Sequence, residues 1–331
     1  MEEVLVATPL PHSSSAEPRT FTGGISVQAI SPILWDLSVL KTYIAEHDRE
    51  KLDQTRYWLC ASREAKPDLT DVQDLYETVH QAMYACQIIH PSGSDNIYLA
   101  FHRKPEGYDH VGTFSPPNMN STLIGRITTA ERRGLAEDFD LVYSGVRRAF
   151  VDKIVRLQNP ILLLEQGLQI GTSNLAMLMF VMGLDMLFMA GQREPFIKRV
   201  AGFFGKDSYI FPTVLSQNYQ PDIAASEVVG DLYDFRNIIA HGQEIPEHPY
   251  RQTYAGSRIA GPAGNFVGYS YADVLRESAL FLLTGALGKI FKGNLYDQVR
   301  DVAKWRISMT CYEHRFKDSG GVASPSPHKD R

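Results

Sequence analysis

From Glu137 to Phe291 the apolar residues return every three to four positions through several successive segments, and that period commits this part of the chain to packed helices. In Glu137–Leu157, residues Leu141, Val142, Val146, Phe150, Ile154 and Val155 line one side, and Asn159-Pro160 breaks or restarts the helix. The same spacing predicts helices over Ser173–Ala190, Glu194–Phe204, Asp222–His241 and Tyr271–Phe291. Five or six such helices joined by short connections describe an α-bundle. The Pro/Gly-rich stretch Gln243–Gly268 reads as a long loop, of a length that is often functional or mobile.

The bundle accounts for about half of the 331 residues, and at roughly 150 residues per domain a second unit is expected. Hydrophobic residues at 44% against 21% charged leave enough apolar material for a sizeable core. The reading is a flexible leader over 1–26, an N-terminal domain over 27–135, the helical domain over 136–305, and a tail over 306–331 that is disordered from about 317. Within the N-terminal domain, Asp68–His90 carries Val72, Leu75, Val79, Ala82 and Met83 at helical spacing, stopped by Pro91 and Gly93. Asn96–His102 reads as a strand and Lys104–Asn120, rich in Pro, Gly and Asn, as a loop. The fold class is mainly α, with a small α+β or mostly helical domain before the bundle.

A net charge of −5 gives no global field toward nucleic acid or an anionic membrane, so any RNA contact must be local. Cys60, Cys86 and Cys311 are distant from one another, odd in number and outside any C-x-x-C pattern, which suits the reducing cytoplasm. Residues Met1–Thr20 lack the basic and apolar regions of a secretory signal. Asn174–Gly191 is apolar and nearly long enough to span a bilayer. Asp185 inside it and the absence of a flanking basic cluster favour a buried bundle helix, and no membrane partner is expected.

The chemistry-bearing segment is Asp222–Gly242. At about 100° per residue, Ala225, Val228, Leu232, Phe235 and Ile239 form a core stripe. Roughly opposite lie Tyr233, Asn237 and His241, flanked by Arg236, with the small Gly230 and Ala240 between them. Gly242 suits the left-handed residue that ends a helix, which puts His241 in the last turn with its ring reachable. A fixed cation and a titrating imidazole can together supply proton transfer and oxyanion stabilisation, the two needs of metal-free RNA cleavage. One helix offers one histidine; a two-fold dimer through this face would supply two.

Arg236 and His241 also read as structural groups, Arg236 ion-paired with Asp231, Asp234 or Glu227 and His241 meeting the terminal carbonyls. Asp185, costly to bury alone, needs a partner, and Arg199 or Arg236 would serve. His241, Glu244, Glu247 and His248 close no ligand set across Pro246, so neither metal nor cofactor is assigned.

Arg236-Asn237-Ile238-Ile239-Ala240-His241 resembles the R-N-x-x-x-H form of the motif that marks the HEPN superfamily. Leu232-Tyr233-Asp234-Phe235-Arg236 and His241-Gly242 are similar to the LY..R....HG segment of its Apea-like branch. Gly183-Leu184-Asp185-Met186-Leu187-Phe188 resembles that branch's ALEALF helix, with Asp185 where Glu is usual, and Lys198-Arg199-Val200-Ala201-Gly202-Phe203-Phe204 resembles its RVA-L-L helix. The resemblance spans about Glu137–Trp305. It implies a homodimeric helical bundle that, in many members, cleaves RNA without metal in stress, toxin or defence systems, with Arg236 and His241 catalytic and single-stranded RNA the expected substrate. Asn237 and Tyr233 are the supporting residues, Asn237 orienting phosphate or the histidine or else making an interhelical hydrogen bond, and Tyr233 packing with its hydroxyl satisfied. The alternative it leaves open is a non-catalytic dimerisation or nucleotide- and RNA-binding module, with the N-terminal domain meeting a partner protein.

Overall fold

The computed structural model describes residues 3–10, 18–29, 57–64, 69–89, 98–104, 107–114, 135–205, 225–242 and 271–318. Those residues are mainly helical, with one small antiparallel sheet. The sheet has six strands: β1 (Glu3–Pro9), β2 (Arg19–Thr20), β3 (Ile25–Gln28), β4 (Trp58–Glu64), β5 (Tyr98–Lys104) and β6 (Gly107–Phe114), in the order β2-β3-β4-β1-β5-β6. β1 lies between β4 and β5, pairing Val6 with Ala61 on one side and with Ala100 on the other. Helix α1 (Leu69–Ile89) covers one face, where Val4, Val6, Ile25, Val27, Leu59, Ala61, Tyr98 and Ala100 meet its Val72, Leu75, Val79 and Met83. The alternating residues Leu5, Ala7, Trp58, Cys60, Leu99 and Phe101 are buried too, so both faces are enclosed.

Among the described residues eight further helices follow: α2 (Leu135–Val151), α3 (Val155–Gln169), α4 (Ser173–Phe188), α5 (Arg193–Phe204), α6 (Ala225–Ala240), α7 (Tyr271–Lys292), α8 (Tyr296–Arg300) and α9 (Val302–Asp318). The almost uniformly apolar α4 runs through the middle and packs on α3, α5, α6 and α7. No single helix among the described residues is long and apolar enough to cross a membrane, and α4 bends by 83° into α5. That corner is held by backbone: Met189 caps α4 in a left-handed conformation and Gly191 follows with φ 66°. Arg199 of α5 reaches back to donate to the carbonyls of Phe188, at 3.2 Å, and Met189, and pairs with Glu313 of α9 at 2.6 Å.

Several expectations are corrected. The supposed leader holds β1, the central strand, because Val4, Leu5, Val6 and Ala7 are apolar on both faces and need cover from both sides. Gly107–Phe114, expected in a loop, is strand β6. The break between α2 and α3 falls at Asp152–Ile154, where Lys153 has φ 52°, and the buried Pro160 is carried inside α3 at the loss of one backbone hydrogen bond. The chain does not become a tail at 306, since α9 runs to Asp318 with Trp305, Met309 and Tyr312 buried.

No break in the core marks residue 135. One hydrophobic cluster runs from the sheet through α1 into the bundle. Tyr84 of α1 donates to Glu165 of α3 at 3.0 Å, His80 lies 3.0 Å from the same carboxylate, and the Thr22 amide and hydroxyl donate to Asp140 of α2 at 3.0 and 2.8 Å.

Candidate functional site

Helix α6 forms where its apolar period predicts, and Val228, Leu232 and Phe235 are fully buried on the expected stripe. Its buried arc is wider than that stripe. Val229, Gly230 and Tyr233 are also buried, because α5 crosses the side that the sequence leaves polar. A Cβ at Gly230 would stand 3.6 Å from Arg193 and Ile197 of α5. The Tyr233 ring packs 5.3 Å from Phe196, and its hydroxyl donates to the carbonyl of Gly191 at 3.3 Å. Arg193 closes this contact with two bonds to Asp234, at 2.7 and 2.8 Å. The face proposed for dimerisation from the small residues is therefore occupied within the chain over its first half.

The second half of α6 stays accessible. Arg236 Nη2 lies 3.3 Å from Asp185 Oδ2, its Nη1 donates to Asn237 Oδ1 at 3.1 Å, and its Cζ stands 5.3 Å from the Tyr233 ring. Asp185 is fixed in turn, because its other oxygen accepts from the Gly191 amide at 2.7 Å. The guanidinium is thus oriented by the α4–α5 corner. Of the two cations expected beside Asp185, Arg236 is the partner, while Arg199 is committed to Glu313 and the end of α4. The Arg236 side chain keeps 26% of its surface exposed and Asp185 keeps 13%, so the pair is shielded without being sealed.

His241 stands in the turn after α6 and is exposed. Its amide donates to the Asn237 carbonyl at 3.0 Å, the Gly242 amide donates to Ile239 at 3.0 Å, and Gly242 has φ 67°, the left-handed termination expected of it. Arg236 and His241 sit five residues apart, so about 7.5 Å separates them along the axis. Asn237 spends its carbonyl oxygen on Arg236, which leaves its amide nitrogen as a donor beside the guanidinium. This arrangement offers a fixed cation, an amide donor and a reachable imidazole at one helix end.

Glu244, Glu247 and His248 lie outside the described residues, and among the described ones no three His, Cys, Asp or Glu side chains converge as metal ligands would. Comparison with protein-family models, curated proteins and solved structures finds no match to this chain.

A feature that sequence reading missed is the polar knot between α1 and α3. His80, Tyr84 and Glu165 come together there, with Tyr76 Oη 3.0 Å from His80 Nδ1 and the Tyr98 ring stacked on His80 at 5.3 Å. Burial, and then the Glu165 charge, raise the pKa of the Tyr84 and Tyr98 phenols. Tyr76, His80 and Tyr84 recur every four residues, one face of α1. That period was visible; the partner on α3 was not.

Proposed function

We propose that the protein is a metal-independent endoribonuclease of HEPN type, with a bundle of that arrangement acting as a homodimer on single-stranded RNA. The observation that carries this reading is the exposed His241 at the end of α6 with Arg236 held five residues earlier by Asp185 and Asn237. In this reading His241 moves the proton between the 2′-hydroxyl and the leaving oxygen, and Arg236 stabilises charge on the scissile phosphate. Asn237 adds a donor, and Tyr233, buried against Phe196, positions the helix. The second imidazole comes from a second copy meeting the C-terminal half of α6, since Gly230 and Tyr233 are covered by α5. A role in stress or defence follows from the resemblance alone.

The test is incubation of single-stranded RNA with purified protein in EDTA. The expected products end in 2′,3′-cyclic phosphate, and His241→Ala or Arg236→Ala abolishes cleavage without unfolding. RNA left intact by the wild type, or cleaved at the wild-type rate by His241→Ala, refutes the catalytic assignment.

One observation favours a second reading. The Arg236 charge is already offset by Asp185, as befits a bundle that binds RNA, a nucleotide or a partner protein without cutting. RNA bound but uncleaved, with Arg236→Ala costing stability alone, selects it.

A further inference from the structure

Four of the large hydrophobic side chains left exposed lie on the segments that meet α8. Val151 ends α2, Val155 begins α3, and Val302 and Ile307 lie on the first two turns of α9, with Val151 and Ile307 exposed by 69% and 65%. Direct contacts join these segments through α8. Arg148 reaches Asp297 at 3.4 Å and lies 4.1 Å over the Tyr296 ring, the Tyr296 hydroxyl meets Asp152 at 3.3 Å, and Arg156 Nη1 donates to the Val299 carbonyl at 2.5 Å.

The acids at this corner are engaged. Asp152 also pairs with Arg300 at 3.6 Å, Asp297 holds Arg148, and Asp301 accepts from the Ala303 and Lys304 amides at 2.9 and 3.2 Å as the cap of α9. Lys153, Arg156 and Arg306 have no carboxylate partner among the described residues. Arg156 and Arg306 stand close enough that burial, followed by the Arg306 charge, lowers the Arg156 pKa. Lys153 is held at φ 52°, a conformation glycine or asparagine would adopt more easily, so a lysine there keeps a cation at the tip of the turn at some backbone cost. The corner is locally basic on a chain whose net charge is −5.

Unpaired cations alone would suit any phosphate. The aliphatic side chains among them choose between ligands: valine and isoleucine gain by entering hydrocarbon and offer nucleic acid no stacking surface, and Tyr296 is buried beneath Arg148. We propose that this α2–α3 and α8–α9 corner docks the protein peripherally on an anionic lipid surface. Lys153, Arg156 and Arg306 meet the headgroups, and Val151, Val155 and Ile307 enter the upper acyl region. The proposal is independent of the chemistry at α6.

Co-sedimentation with phosphatidylcholine vesicles, with and without phosphatidylserine, tests it. Binding is expected only with phosphatidylserine and to fall as salt is raised. The exposed pair Lys153→Asn with Arg306→Gln should weaken partition about 25-fold, at about fivefold per cation. Val151→Ser with Ile307→Ser should weaken it about tenfold with every charge kept. Circular dichroism melts of these surface variants should match the wild type, which keeps the test clear of folding. Equal partition to both vesicle types, no partition, or indifference to either double substitution overturns the proposal. So does loss of single-stranded RNA binding in Lys153→Asn/Arg306→Gln with no vesicle binding, or a dimer that Ile307→Ser dissolves, since those outcomes assign the corner to RNA or to a second copy.

Discussion

Asp185 is the residue on which the candidate site can be taken apart, because its two oxygens do different work. Oδ1 accepts the Gly191 amide at 2.7 Å and fixes the α4–α5 corner, while Oδ2 faces Arg236 at 3.3 Å. Asp185→Ala removes both. A charge-assisted bond to an amide that is itself exposed contributes about 1 to 2 kcal/mol, toward the lower part of the usual range. A shielded but open ion pair adds about 1 kcal/mol. The expected loss is therefore about 2 to 3 kcal/mol. Asp185→Asn keeps a carbonyl oxygen for Gly191 and loses only the charge, so it should cost about 1 kcal/mol. Paired with Arg236→Gln in a double-mutant cycle, it should show a coupling of about 1 kcal/mol.

Urea denaturation read by circular dichroism gives these values from the midpoints, provided the slopes stay constant. If Asp185→Asn costs as much as Asp185→Ala, the corner bond is not what Asp185 supplies. If the cycle shows no coupling, the 3.3 Å pair is a resting position of two solvated groups and Arg236 is free for a ligand. The same variants report on function. On the proposed endoribonuclease reading, with Arg236 oriented by Asp185, Asp185→Asn should reduce RNA cleavage while leaving the fold largely intact.

Three further outcomes follow from the packing. At Gly202 a Cβ would stand 2.2 Å from the backbone oxygen of Tyr312, so Gly202→Ala must part α5 from α9 and should cost about 2 to 4 kcal/mol, whereas Gly230→Ala, with its nearest neighbours at 3.6 Å, should be tolerated; thermal melts separate the two. Glu165→Ala strands the Tyr84 hydroxyl and His80 between α1 and α3 and should cost about 2 to 4 kcal/mol by urea denaturation, with Glu165→Gln recovering part of it; equal losses would mean that the carboxylate's charge dominates. The Tyr296 phenol is raised from 10.0 to about 12, by burial first and then by the Asp152 charge. Protonated Tyr296 therefore favours the folded state, its contribution is intact below pH 10.0 and is lost as pH rises toward about 12, and Tyr296→Phe should shallow the alkaline fall in melting temperature.

Helical period carried most of what the sequence could tell. α1, α4, α5, α6 and α7 form within a few residues of their expected limits, since each has apolar residues at helical spacing or, in α4, a nearly continuous apolar run, and a stop such as Gly242. β1 escaped because Glu3–Pro9 alternates nothing: a strand covered on both faces carries no period of two, and its Pro9 end reads as loop. Gly107–Phe114 escaped for a different reason. Its glycines and polar residues suit a loop, and only pairing with β5 makes it a strand.

The site itself shows the same division. The termination at Gly242 and the exposure of His241 are local to α6, and the residues in that turn were enough to anticipate both. Which groups would cover Tyr233 and Gly230 depends on the 83° bend between α4 and α5, which brings Phe196 and Arg193 across the polar side of α6. That bend rests on left-handed backbone at Met189 and Gly191, on the Gly191 bond to Asp185, and on Arg199 reaching over from α5. A helical wheel records the side from which a residue departs and carries nothing of what lies there. Arg236 was therefore legible as a candidate cation, while its pairing with Asp185, 51 residues earlier, depends on how that corner turns.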